Sequence, residues 1–272
     1  METEAVTEVP ARSKGSRLYR VRRMVGTALI VVGVALLVWC FVVWRWNDPF
    51  TALYTRWEQR KLETSYAQIV EAERARPVAP PAATRPSTAE LESAVADAAR
   101  RFRQRATEGS PIGHIIVPRL DLDMIMVNGT DAGTLRKGPG RDLRTFMPGE
   151  GELVYIAGHR TTYLAPFAHI DRLEPGDLVT LEMPYATFRY RVVRHQIVEA
   201  DDLSVLQSHG REVVALQACH PRFFATHRYI VWATPVRVTP RDGPSYRLGP
   251  AKANRGRAAQ ARAPSRSAVK TS

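Results

Sequence analysis

From Glu212 to Val238 the chain reads EVVALQACHPRFFATHRYIVWATPVRV. EVVALQAC is an apolar run of strand length, and RYIVWATPVRV is a second one. The loop between them is short enough for the two runs to be antiparallel neighbours, with the end of one beside the start of the next. Upstream, from Pro111, the same texture recurs in IGHIIVP, MIMVN, ELVYIAG, DLVTLEM and TFRYRVVRHQIV. Turn signals separate these runs, among them GTDAG, MPGEG and EPGD, and TFRYRVV alternates side-chain character with period two. Seven or eight short strands within about 130 residues predict a small closed or nearly closed β-barrel over residues 110–240.

The region before the barrel has a different texture. Val25 to Trp44 reads VGTALIVVGVALLVWCFVVW and carries no charge. As a helix this run spans about 30 Å, the thickness of a bilayer's hydrocarbon core. Trp39, Trp44 and Trp46 cluster at its far end, while Arg20, Arg22 and Arg23 press on its near end. A signal-peptide core is typically about 7–15 residues followed by small residues, whereas this run is longer and leads into WRWNDPF. The expectation is an uncleaved single-pass anchor over residues 25–45, with residues 1–24 cytoplasmic and the remainder outside the cell.

Residues 46–109 read as a stalk. Leu53, Trp57, Leu62, Tyr66, Ile69 and Val70 give a patchy helical period with a weak face, and PVAPPAATRP at 77–86 reads as a stiff extended spacer. Ser87 with Glu90 is a capping-box pattern, opening a second helix in which Leu91, Val95, Ala98 and Phe102 repeat. The expectation is a solvated stalk that lifts the barrel from the membrane. The last segment, 241–272, is rich in Ala, Arg, Pro and Ser and reads as a disordered basic tail.

Locating the charge changes what it implies. The chain has 39 Lys and Arg against 27 Asp and Glu, a net +12. Residues 1–24 hold +3 of it and residues 241–272 hold +7, so residues 25–240 hold +2. The fold itself is nearly neutral, and its basic tail is expected on the outer side of the membrane. Nucleic acid is therefore excluded as a partner; anionic wall polymers or lipid headgroups suit the tail better.

Two cysteines exclude a disulfide scaffold. Cys40 lies within the apolar run, so Cys219 is the single thiol of the extracytoplasmic part. A thiol at a strand end in an oxidising compartment is either buried and inert or in use as a nucleophile. A nucleophile needs a base and a donor for the developing oxyanion. His159 ends the strand ELVYIAG and opens a loop, the same kind of place as Cys219, and Arg228 begins the strand after it. His220 adjoins the thiol but strand alternation turns it away, leaving at most a rim contact with substrate. His227 is displaced from Arg228 in the same sense, and His114, His169, His195 and His209 read as exposed or structural. Metal-ligand spacing and Gly-rich phosphate loops are absent, so no cofactor or metal is implied.

The stretches PIGHIIVPRLDLDMIMVNGTD, LRKGPG, ELVYIAGHRTTYLAPFAHIDRLEPGD and VVALQACHPRFFATHRYIVWA resemble the sortases, and GHRTTY with CHP is most similar to their class E group. The resemblance covers about residues 110–238, in collinear order. It implies an eight-stranded sortase barrel and a cysteine transpeptidase acting on an LPXTG or LAXTG sorting motif. Cys219 would form a thioester at the Thr–Gly bond, and an amine on a peptidoglycan precursor would release the product. His159 would move the protons, and Arg228 would hold the substrate and the oxyanion. One departure stands out: the family's Thr-Leu-x-Thr-Cys is Ala215-Leu216-Gln217-Ala218-Cys219 here. The resemblance makes Ala218 a cleft-lining position that lacks its hydroxyl. That loss raises the alternative of a weakly active or non-catalytic sortase-fold scaffold at the cell surface. A second cysteine enzyme class, the L,D-transpeptidases, requires Ser-His-Gly-Cys; Ser208-His209-Gly210 is followed by Arg211. Residues 87–110 carry no lid motif of the pilus-building type, which favours housekeeping attachment.

Overall fold

The computed structural model describes residues 15–46, 49–76 and 86–248. It falls into two compact units, Met1–Asn47 and Asp48–Ser272. In the first, a single helix α1 (Gly15–Trp46) contains a stretch, Tyr19–Val42, long and apolar enough to cross a membrane.

The second unit is a closed β-barrel preceded by two helices. Its strands are β1 (Pro111–Val117), β2 (Leu122–Asn128), β3 (Gly140–Arg141), β4 (Leu153–Ala157), β5 (Leu178–Met183), β6 (Ala186–Glu199), β7 (Val213–His220) and β8 (His227–Pro240). They close in the order β1-β2-β3-β4-β7-β8-β6-β5. This is the closed eight-stranded barrel expected. β3, at two residues, is too short to have a sequence period. It fits between β2 and β4 because Gly140 has no side chain: a Cβ there would lie 2.0 Å from the Gly129 carbonyl oxygen. Beside it the buried Arg141 donates to Asn128 Oδ1 from Nε at 3.0 Å and Nη2 at 2.7 Å. Burial pulls that guanidinium's pKa down to about 10.

Two expectations fail. The helices α2 (Pro49–Arg74) and α3 (Thr88–Arg105) are not a free stalk. α3 starts at the predicted capping box of Ser87 and Glu90 and buries Val95, Ala99 and Phe102 in the barrel's main hydrophobic cluster. α2 packs on β1 and β2. Leu62 joins Ile125 and Val127 in a small cluster, and Thr55, Gln59 and Tyr66 bond to barrel carbonyls. The predicted boundary at 240 also moves. Tyr246 is buried and pairs with Val238, so the chain to Leu248 belongs to the folded body. The Pro-rich spacer at 77–85 and the segment 249–272 lie outside the described residues.

Candidate active site

β7 lies between β4 and β8, and its two registers set the site. β4 and β7 run parallel with Ala157 opposite Gln217, and Gly158 N–H continues the pairing to the Gln217 carbonyl at 3.0 Å. Carried two residues past the end of β4, the same register would set His159 level with Cys219. β8 runs antiparallel to β7 with Arg228 directly opposite Cys219. Neighbouring strands are about 4.8 Å apart, so His159, Cys219 and Arg228 form one short row across three strands.

Side-chain alternation decides which face the row occupies. Val154, Ile156, Val214, Leu216, Ala218, Val231 and Ala233 belong to the main core cluster inside the barrel. Leu153, Tyr155, Ala215 and Ile230 alternate with them and form a second cluster on the outer face, covered by Val205 from the 3-10 turn Leu203–Leu206. His159, Cys219 and Arg228 share the parity of this outer set. A packed apolar cluster, covered by that turn, therefore lies along the outside of the sheet next to the row. Gln217, half-buried, stands on it between Ala215 and Cys219.

Ala218 and His220 have the opposite parity. Ala218 has no exposed surface and its methyl group is part of the barrel core, so it stands beneath the row rather than in a cleft wall. His220 is turned from the thiol, as alternation predicts, and its ring lies 5.7 Å from that of Tyr229. It meets a residue that sequence reasoning missed. Arg160 is 5 % exposed and donates from Nη1 to the Cys219 carbonyl at 3.2 Å and to His220 Nδ1 at 3.0 Å, and from Nη2 to Asp171 at 2.8 Å. A guanidinium has no acceptor, so the Nδ1 of His220 is unprotonated there. Desolvation, and then the Arg160 charge, hold the His220 pKa below its ordinary value. Burial works against the charge of Asp171, but a backbone bond and Arg160 outweigh it and keep that carboxyl low. The signal was the one arginine in the block GHRTTYLAPF, next to His159; nothing local reveals what it reaches.

His159 is half-buried, and its Nε2 is buried without a hydrogen-bond partner. Its pKa lies below the usual value, first through burial and then through the Arg136 charge. The ring lies 5.0 Å from that of Tyr163. Gly158 has to be glycine because a Cβ would meet the Phe167 ring at 2.6 Å. Phe167 N–H in turn returns to the His159 carbonyl at 3.1 Å. Arg228 donates from Nη1 to the carbonyls of Ala225 and His227, both at 2.9 Å, which anchors the guanidinium at the mouth of the β7–β8 loop. A cavity of about 1080 Å³ lies elsewhere, lined by α3, β6, β8 and the β6–β7 connection, and includes none of the row.

Comparison with known proteins bears on the barrel that carries these residues. The sortase domain family matches residues 115–236. Sortase D of Bacillus subtilis is 33 % identical over 135 residues, 48 % of this chain and 66 % of its own length. Sortase SrtE1 of Streptomyces coelicolor is 28 % identical over 142 residues, 46 % of this chain and 40 % of its own. The chain thus matches less than two thirds of either relative. Among solved structures, a sortase D5 transpeptidase of Clostridium perfringens superposes with a TM-score of 0.51 at 20 % identity, covering 66 % of this chain and 98 % of that one. The crystal structure of sortase E1 of Streptomyces coelicolor with a tripeptide in its active site gives 0.46 at 27 % identity, covering 49 % and 92 %.

Proposed function

Residues 115–236 are a sortase domain, and from that premise we propose that this chain is a membrane-anchored cysteine transpeptidase. Its substrates are secreted proteins ending in an LPXTG- or LAXTG-like sorting motif, and its acceptor is an amine on a peptidoglycan precursor. α1 is the single-pass anchor, with residues 1–24 cytoplasmic and the barrel outside. The observation that carries the reading is Arg228 directly opposite Cys219, with His159 on the strand at the other side of β7, beside the apolar cluster on the outer face of β4, β7 and β8.

Each residue has a task that its surroundings suit. His159, with its depressed pKa, is a neutral base at neutral pH. It takes the Cys219 thiol proton as sulfur attacks the threonine carbonyl carbon. Arg228 donates to the oxyanion that forms. The tetrahedral species collapses as His159 gives the same proton to the glycine nitrogen; the C–N bond breaks and a Cys219 thioester remains. The acceptor amine then attacks the thioester carbon and loses its proton to His159. The C–S bond breaks, and the sulfur recovers that proton from His159. Atoms and charge balance with no cofactor. Ala218, beneath the row, supplies no hydroxyl to this sequence of steps, and His220 acts at most through Arg160 on the Cys219 carbonyl.

The test is incubation of the full chain, in detergent, with LAXTG and LPXTG peptides, followed by mass mapping of Cys219. A thioester on Cys219, absent in Cys219→Ala, is expected. No adduct with either peptide, on protein whose Cys219 is folded and alkylatable, overturns the reading in favour of a sortase-fold scaffold.

A further inference from the structure

The loop that carries His159 is held in an unfavourable shape. Tyr163, Leu164 and Ala165 have φ of 54°, 61° and 42°, three consecutive left-handed residues of which none is glycine. Each costs about 1–2 kcal/mol relative to an ordinary conformation. The loop's own bonds, Ala165 N–H to Thr162 at 2.8 Å and Phe167 N–H to His159 at 3.1 Å, close it on either side of Tyr163 but leave the Tyr163 amide to find an acceptor elsewhere. It finds one on α2: Tyr163 N–H donates to Thr51 Oγ1 at 3.0 Å. One turn later Tyr54 packs edge-on against the Tyr163 ring, centroids 6.3 Å apart at 75°, and the Arg136 guanidinium lies 5.8 Å from the same ring.

We propose that the first turn of α2 is a positioning element for His159, with Thr51 and Tyr54 fixing Tyr163 and Tyr163 fixing the histidine ring. Because Nε2 of His159 makes no hydrogen bond, the ring's aim rests on packing, and Tyr163 stands 5.0 Å from it. α2 is able to serve because the rest of it is clamped to the barrel. Thr55 Oγ1 donates to the Arg136 carbonyl at 2.9 Å. Gln59 Nε2 donates to Lys137 at 2.7 Å and Ile125 at 3.1 Å, while its Oε1 accepts from Ile125 N–H at 2.8 Å. Tyr66 donates to the Glu182 carbonyl at 2.8 Å. The helix that follows the apolar helix in the chain thus reaches the acid–base residue of the proposed reaction through a two-contact chain. The inference rests on His159 having that role.

The test uses the full chain in detergent and three variants: Thr51→Val with Tyr54→Ala, the conservative Thr51→Ser with Tyr54→Phe, and Leu53→Ala on the solvent side of the same turn of α2. Turnover of a sorting peptide, amide hydrogen exchange over residues 159–167 and thermal midpoint are read on each. The first variant is expected to lose kcat by roughly 10- to 100-fold, the scale of a misplaced catalytic group. Its KM should change little, its 159–167 amides should exchange faster, and its thermal midpoint should stay close to that of the parent. The conservative pair should restore kcat and protection, and Leu53→Ala should leave both unchanged. Unchanged kcat or unchanged protection in Thr51→Val with Tyr54→Ala overturns the proposal, as does an equal loss in Leu53→Ala. If the parent chain turns over no peptide, the transpeptidase reading fails, and the exchange measurement alone decides whether α2 holds the loop.

Discussion

Arg160 ties the carbonyl of Cys219 to His220 and Asp171 from a nearly buried position. A lysine there has one charged nitrogen in place of a planar fork and cannot reach all three partners. Arg160→Lys is therefore expected to cost about 1–3 kcal/mol in a denaturant titration and to lower turnover by loosening the backbone under the nucleophile. Arg160 was visible in the sequence, but its partners were not, because they come from two separate segments, one of them sixty positions away. A second prediction concerns protons. The proposed chemistry needs neutral His159, whose pKa is depressed by burial and by Arg136. Activity should thus persist as pH falls past about 6.5, the ordinary histidine value, and drop only below it. Arg136→Gln removes one cause of the depression and should move this acid limb upward. A pH–rate profile whose limb already lies above the ordinary value would contradict the assignment.

α2 shows why a helix face can be misread. Its docked stripe is Thr55, Gln59, Leu62 and Tyr66, spaced four, three and four, of which Leu62 is the one aliphatic member. The apolar Leu53 and Trp57 point to solvent, 67 % and 54 % exposed. A search for apolar periodicity finds a weak face because the contact is made largely through hydrogen bonds to barrel carbonyls. Leu62→Ala should still destabilise by about 2–4 kcal/mol, since its cluster with Ile125 and Val127 has no other aliphatic contribution from α2. A denaturant midpoint checks this. The strands were legible at once, because five to fourteen residues of β-rich character between turn signals have no helical alternative. β3 was not legible, since a two-residue strand exists only where its neighbours bring it.

At the scale of the molecule, the folded body begins well before the barrel. Val95, Ala99 and Phe102 of α3 and Tyr246 beyond β8 are members of the main core cluster. A fragment limited to residues 108–240 removes all four and uncovers the surfaces they protect. Relative to residues 48–248, it should lose on the order of 5 kcal/mol and self-associate, as read by thermal unfolding and size-exclusion chromatography. Equal stability of the two fragments would show that α2 and α3 are dispensable for folding. The sequence by itself determined the apolar helix, the strand runs, the near-neutral body and the one thiol outside the apolar helix, because length, periodicity and composition are local properties. Strand-end positions and the short β7–β8 loop also singled out Cys219, His159 and Arg228 as candidates. Tertiary packing, in contrast, is what sets Arg228 opposite Cys219, Ala218 in the core and α2 against the His159 loop. Those facts depend on the parallel pairing of β4 with β7 and on barrel closure, which join residues such as Arg160 and His220, sixty positions apart. No local pattern encodes such a meeting, because the free energy that selects it is distributed over the whole packed core.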